Sequence, residues 1–433
     1  MPEPETPLSE RPWEEVDRLL SVDDALERVL TAVNPLPPVD LPLLAARELV
    51  LTDAVVAECD VPPFRNSAMD GYAVRAEETA GASLGEPVRL RVAGLVAAGS
   101  PERWTLGPGS AIRIMTGAAM PAGADAVVRF EETDEGTTGS RPDQNGEVEI
   151  FRPARTRDNV RPAGEDVAKG TLVFPAGRRL RPSDLGLLAA LGRTSVRVHR
   201  RPRVALLSTG DEVVAPGAPL APGLVRDSNT TTLAAMAASW GAKVSELGIA
   251  GDRLDDLRSR LREGQGADLI VTSGGVSVGD FDFVKDALRA EGDIAIWQVR
   301  MKPGKPLAFG RTGGVPLLGL PGNPVAAAVS FEVFGRPAVR KMLGYRDVMP
   351  RTVKVTLAEP LDNRGMRRHY VRATIERDEG DGWIGRPAGA QGAGVLTSLS
   401  RANALLVVPE DVERAEPGMR LDAILLDGAA GGW

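Results

Sequence analysis

Residues 267–275, ADLIVTSGG, decide the fold. An apolar run of strand length ends abruptly in hydroxyls and glycines, Thr272-Ser273-Gly274-Gly275. Working outward, the same texture recurs. VALLSTG (204–210) leads to the helical TTLAAMAASWG (231–241), and AKVSELGIA (242–250) to DRLDDLRSRLREG (252–264). Downstream come DFDFVKDALRAEG (280–292), DIAIWQV (293–299) and GVPLLGL (314–320), the last before PGNPVAAAVSFEVFGRPAVRKMLG (321–344). Apolar runs of strand length that alternate with helices of ten or more residues predict a parallel-sheet α/β domain over 197–345.

Other segments read differently. Ser21 caps a helix whose apolar face is Val22, Ala25, Leu26, Val29 and Leu30. Residues 64–159 carry short strand-like runs broken by Gly and Pro, with TDEGTTGSRPDQNGE (133–147) as an exposed loop, and predict an inserted β-rich domain. Segments 14–63 and 160–196 pair as one discontinuous first domain. Strand-sized pieces from 346 to 433 predict a C-terminal β domain, barrel-like in character.

Composition removes several classes of protein. One cysteine, Cys59, and two histidines, His199 and His369, allow neither a disulfide framework nor a thiolate- or His-rich metal centre within the chain. No apolar stretch reaches membrane-spanning length, and the acidic, Pro-rich start is not a signal peptide, so the expectation is a soluble cytoplasmic protein with no membrane association. A net charge of -7 with dispersed arginines argues against nucleic acid as a partner. Lysine is scarce, seven in 433 residues, which makes its clustering informative.

Ligands of open α/β sheets bind at the carboxyl ends of the strands. Four polar edges follow apolar strands here: Ser208-Thr209-Gly210-Asp211-Glu212, Asp227-Ser228-Asn229, Thr272–Gly275, and Pro321-Gly322-Asn323-Pro324. TSGGVSVGDFD (272–282) supplies relaxed backbone at Gly274 and Gly275, hydroxyls at Ser273 and Ser277, and a helix start whose free N–H groups suit phosphate. It also fits a tight strand-to-helix turn without a ligand. MKPGKP (301–306) places Lys302 and Lys305 around a Pro-Gly turn, as oxyanion contacts or as solvated lysines, and Lys285 lies in the helix after the glycine turn. Glu212, Asp227, Asp252, Asp268 and Asp280 are expected near the same rim, where carboxylates beside phosphate suit Mg²⁺. Asp227 and Asp252 fit equally as helix N-caps, and Asp268, entering an apolar strand, needs a partner. Elsewhere, PPFRNSAMDGYAVR (62–75) crowds Asn66 and Asp70 into a short stiff segment, Thr116 follows an apolar strand, and Asp166 follows a Gly turn. Arg367, Arg368 and Arg372 around Tyr370 form a basic patch, with Ser398 and Ser400 nearby in sequence order.

Taken in order, PPFRNSAMDGYAV, IRIMTGAAMPAGADAVV, RPAGEDV, STGDE, RDSN, TSGGVSVGDFDFVK, MKPGKPLAFG and GLPGNPVAA resemble the molybdopterin molybdenumtransferases, including the molybdenum-inserting half of gephyrin. The resemblance covers nearly all of the chain after about residue 14. It implies an α/β and β multidomain chain with a central molybdopterin-binding-like domain. It further implies a homodimer with an active site between subunits, and transient contacts with upstream and downstream cofactor-biosynthesis proteins. The implied reaction inserts molybdate into adenylylated molybdopterin and releases AMP in a Mg²⁺-dependent step. By position, Lys302, Lys305, Asp268 and Asp227 would act in catalysis, and Glu212 with Asp227 would hold the metal. Ser273, Gly274, Gly275, Ser277, Lys285, Pro321, Asn323, Thr116, Asn66, Asp166, Arg367 and Arg372 would bind the substrates. Two departures stand out: Arg65 where the family often has an acid, and Gly and Ala in GAQGAGVLTSLS (389–400) where hydroxyls would mark a site more clearly. Two other readings stay open, a molybdopterin adenylyltransferase and a non-catalytic pterin carrier or scaffold.

Overall fold

The computed structural model describes residues 19–101, 103–139, 146–275, 292–378, 380 and 382–426. They form two compact units. One comprises the described residues up to Leu41, Glu48–Thr52 and everything described from Arg197 on; the other comprises Pro42–Arg47 and Asp53–Val196.

The first unit is built on a seven-stranded sheet. Its strands are β1 (Leu19–Leu20), β2 (Arg203–Thr209), β3 (Lys243–Ala250), β4 (Leu269–Ser273), β5 (Gly292–Val299), β6 (Pro306–Thr312) and β7 (Val315–Leu320). Their spatial order is β1-β5-β6-β7-β4-β2-β3. Neighbours are parallel except at β6, which is antiparallel to both β5 and β7. The expected parallel-sheet α/β domain is present, with this one strand reversed within it. Gly313 and Gly314, both at positive φ, turn β6 straight into β7, and a two-residue turn can join only antiparallel strands. Reversal of β6 also places the start of that strand on the carboxyl rim. The turn carrying Lys302 and Lys305 lies between the end of β5 and the start of β6, on the rim where β2, β4 and β7 also end.

Every residue of β4 and β7 is buried, which accounts for their unbroken apolar runs. Ala205, Leu207, Ile270 and Leu317 pack with Leu257 and Leu261 of a helix at Leu254–Glu263. Full burial of one such leucine contributes about 2 kcal/mol. A helix at Asn229–Ser239 buries Leu233 and Ala237, and Trp240 just beyond it meets Phe331 with ring centroids 4.7 Å apart. Ser21 caps the helix Val22–Thr31, accepting from the Asp24 N–H at 3.0 Å.

Beyond the sheet, strands at Arg368–Arg377, Trp383–Pro387, Thr352–Leu357, Arg420–Leu425 and Ala404–Val408 form a curled sheet whose last strand pairs back onto the first. Val355, Val371, Leu406 and Leu421 fill it. Met301–Lys302 adds to this sheet beside Arg368 and His369, so the lysine turn is fastened to both sheets.

The second unit holds a five-stranded sheet, in the order Ala126–Arg129, Gly71–Val74, Ser110–Ile114, Val88–Val96, Glu147–Ile150, with apolar clusters around Leu90 and Ile112. Two short pairings, Val55–Val56 with Leu172–Phe174 and Asn66–Ser67 with Val160–Arg161, join earlier and later chain. The exposed loop expected from residue 133 instead begins with a helix, Asp134–Thr138. Its Glu135 is buried, accepting from the Tyr72 hydroxyl at 2.6 Å and from Arg113 at 2.6 and 3.0 Å. Among the described residues no helix is long and apolar enough to cross a membrane.

Candidate functional site

The carboxyl rim of the seven-stranded sheet opens into a cavity of ≈ 700 Å³. All four polar edges read from the sequence line it: Ser208–Gly210 and Glu212, Val225–Asn229, Ser273–Gly275, and Pro321–Pro324. Val213, Asp252 and Pro306 complete the wall.

Gly274 shows why this edge takes glycine. It sits at φ +99°, and a Cβ there would lie 2.7 Å from both the carbonyl oxygen and the hydroxyl of Thr209. The backbone N–H of Gly274 donates to Leu320 O at 3.0 Å, tying the end of β4 to the end of β7. At the neighbouring edge, both carboxylate oxygens of Asp227 serve Thr230, one accepting its N–H at 3.0 Å and the other its hydroxyl at 2.7 Å. Asp227 therefore satisfies a first-turn N–H of the helix, just ahead of its cap residue Ser228, as well as lining the cavity. The Thr230 hydroxyl meets Ser208 Oγ at 2.9 Å, fixing the helix start to β2. Asn229 was visible in the sequence as part of this edge but carried no assigned role. Its Nδ2 reaches Ser273 Oγ at 2.6 Å and Gly322 O at 2.8 Å.

Asp268 is the clear correction. It precedes β4, at the amino end of the sheet, and not at the rim. Arg200 donates to it twice at 2.6 Å, and the Arg203 N–H donates at 2.8 Å. Burial works against its charge, yet these donors outweigh burial and hold the carboxyl below the ordinary range. Its chemistry is that of an ion-paired structural carboxylate.

Lys302 is half-buried and Lys305 exposed; among the described residues neither ammonium has a hydrogen-bond or ion-pair partner. The Lys305 carbonyl accepts from Val299 N–H at 2.7 Å and so closes the turn. Arg372 is fully buried. Its Nε donates to Ser398 Oγ at 3.2 Å and its Nη2 to the carbonyls of Ala390 and Gly392, while Nη1 has no partner among the described residues. No carboxylate among the described residues pairs with it, and burial lowers its pKa to about 10. The loop that holds it also meets the cavity wall, since Val325 N–H, next to Pro324, donates to Ala393 O at 3.0 Å. Arg367 is half-buried nearby in the chain. His369 is buried, and among the described residues neither ring nitrogen has a partner; burial, then the charges of Lys302, Arg372 and Arg367, lower its pKa to about 3, which keeps it neutral.

Asn66, Thr116 and Asp166 belong to the second unit. Thr116 donates through both its N–H and its hydroxyl to Asp70 Oδ1, at 2.6 and 2.9 Å, and these bonds hold Asp70 below the ordinary range. Asn66 is buried with Nδ2 on Phe64 O at 3.3 Å; Asp166 and Arg65 are exposed. Ser277 and Lys285 lie outside the described residues.

Fold and cavity define an α/β protein with a polar cleft at its strand ends. Three family profiles cover the chain: "MoeA N-terminal region (domain I and II)" over residues 20–192, "Probable molybdopterin binding domain" over 205–341, and "MoeA C-terminal region (domain IV)" over 354–426. A protein named molybdopterin molybdenumtransferase 2, from Mycobacterium tuberculosis, is 42% identical over 410 residues, covering 93% of this chain and 98% of that one. A molybdopterin molybdenumtransferase from Nostoc is 38% identical over 373 residues, 85% and 84% of the two chains. A solved molybdopterin biosynthesis MoeA structure from Pyrococcus horikoshii superposes with a TM-score of 0.77 at 27% identity, covering 94% of this chain and 100% of that one. The chain belongs to the MoeA family of molybdopterin molybdenumtransferases.

Proposed function

We propose that the protein joins molybdenum from molybdate to the dithiolene of adenylylated molybdopterin and releases AMP, as a homodimer and with Mg²⁺. The observation that carries this reading is the buried guanidinium of Arg372, without a carboxylate partner among the described residues and one loop away from a cavity of nucleotide size. A buried cation without a carboxylate is costly, and an oxyanion substrate would supply the missing charge and an acceptor for Nη1.

In this reading the backbone of Ser273–Gly275 and the rim residues Pro321 and Asn323 cradle the phosphate-bearing part of the substrate. Lys302 and Lys305 bring positive charge to the same rim in a chain that is acidic overall. Two Mo–S bonds form as one molybdate oxygen leaves as water, and hydrolysis of the phosphoanhydride consumes one water. Preorganised cations stabilise the charge that develops on the phosphates as AMP departs. The donor set fits Mg²⁺, which uses one or two carboxylates and takes its other oxygens from phosphate and water. Glu212 and Asp227 line the cavity, and no larger cluster of metal-binding side chains exists among the described residues. Bound there, the ion would neutralise phosphate charge. Thr116, Asn66 and Asp166 would be offered by the second unit, across the dimer.

Purified protein is incubated with adenylylated molybdopterin and Mg²⁺, with and without molybdate, and AMP is quantified. Release that requires molybdate supports the proposal. Use of ATP with unadenylylated molybdopterin, giving adenylylated molybdopterin and pyrophosphate, would support adenylyl transfer instead, and tight pterin binding without release would support a carrier.

A further inference from the structure

Asn229 joins three of the segments that line the cavity. It stands at the first position of the helix Asn229–Ser239, and its Nδ2 bridges Ser273 Oγ at the end of β4 and Gly322 O just beyond β7. Gly322 O is a carbonyl and can only accept, so the amide must turn its NH₂ toward it, which fixes the orientation of the whole group. Oδ1 then faces the other way, buried and without a partner among the described residues. Its neighbours Asp227 and Thr230 anchor the same helix start to β2 through Ser208. Beyond the backbone bond from Gly274 N–H to Leu320 O, this one side chain links the end of β4 to the Pro-Gly-Asn turn.

We propose that Asn229 is a positioning residue. Its two donor bonds hold the turns after β4 and β7 at the separation that lets them grip a phosphate-bearing nucleotide. It acts on the ligand's affinity more than on the stability of the fold. The inference rests on the reading of the cavity as the nucleotide–pterin site.

The test compares wild type with Asn229→Asp, Asn229→Ala, Ser273→Ala and the Asn229→Ala/Ser273→Ala double variant. Asn229→Asp is isosteric but loses both donors and sets a carboxylate oxygen against Gly322 O. The probe is AMP with Mg²⁺, titrated calorimetrically, alongside KM and kcat for AMP release and the thermal midpoint. Both Asn229 variants should weaken AMP binding about ten-fold and raise KM in proportion, with kcat within three-fold and Tm within a few degrees. Ser273→Ala should cost less, and the double variant should bind as weakly as Asn229→Ala alone, because one bond cannot be lost twice. A lowered Tm with unchanged AMP affinity and KM would overturn the proposal and leave Asn229 a structural residue. AMP affinity lost in the variants of a protein that shows no molybdate-dependent release would uphold the positioning role while rejecting the proposed reaction. A wild type that does not bind AMP would overturn the reading of the cavity itself, and the inference with it.

Discussion

Arg200 and Asp268 face each other in a two-pronged ion pair, Nη1 to Oδ2 and Nη2 to Oδ1, each at 2.6 Å. The pair fastens the amino end of β4 to the segment that enters β2, at the edge of the sheet remote from the cavity. Asp268→Asn should lower stability by about 2 kcal/mol, measured by urea denaturation, and leave kcat for AMP release within two-fold. A large loss of kcat at unchanged stability would return Asp268 to the chemistry.

Arg372 should show the opposite pattern. Arg372→Met removes a buried cation that lacks a counter-charge but also three hydrogen bonds, so the opposing effects should leave stability within about 1 kcal/mol of wild type. Molybdate should raise the Tm of the wild type by preferential binding to the folded state. The variant should lose that response, and molybdate-dependent turnover should fall at least 100-fold.

The buried triad of Tyr72, Glu135 and Arg113 should be the weak point of the second unit. Glu135→Gln leaves Arg113 half-buried without its counter-charge, and about 3 kcal/mol of destabilisation is expected. Tyr72→Phe removes a single hydrogen bond, with about 1 kcal/mol expected. Chemical denaturation followed by circular dichroism checks both, and the order of the two effects is the decisive result.

Asp184 gives a signed pH dependence. Burial opposes its charge, but bonds from Arg178 and from the backbone and guanidinium of Arg181 outweigh burial and lower its pKa to about 2. A carboxyl depressed on folding stabilises above its unfolded pKa and loses that contribution as pH falls through the folded value. The Tm gap between wild type and Asp184→Asn should thus be full above about pH 4 and close toward pH 2. A gap that widens in acid would contradict the assignment.

The parts of the fold that could be read in the sequence are those that local pattern controls. β4 and β7 are buried on both faces, so their apolar runs are continuous and their ends sharp. The direction of β6 was also encoded, in the Gly313-Gly314 turn, but an apolar run by itself has no direction. Asp268 was misplaced for the same reason: a carboxylate bordering a strand looks alike at either end, and its partner Arg200 lies 68 positions away. The bonds of Asn229 span 44 and 93 positions, and the burial of Arg372 follows from closure of the curled sheet. Neither leaves a local signal. The helix at Asp134–Thr138 was hidden likewise, being held by Tyr72 and Arg113.

The stoichiometry of molybdenum incorporated to AMP released is the most direct test of the proposed chemistry. With adenylylated molybdopterin, Mg²⁺ and molybdate, the account predicts one molybdenum bound to the pterin per AMP and no AMP when molybdate is left out. AMP released at the same rate without molybdate, or released without molybdenum on the pterin, would contradict it.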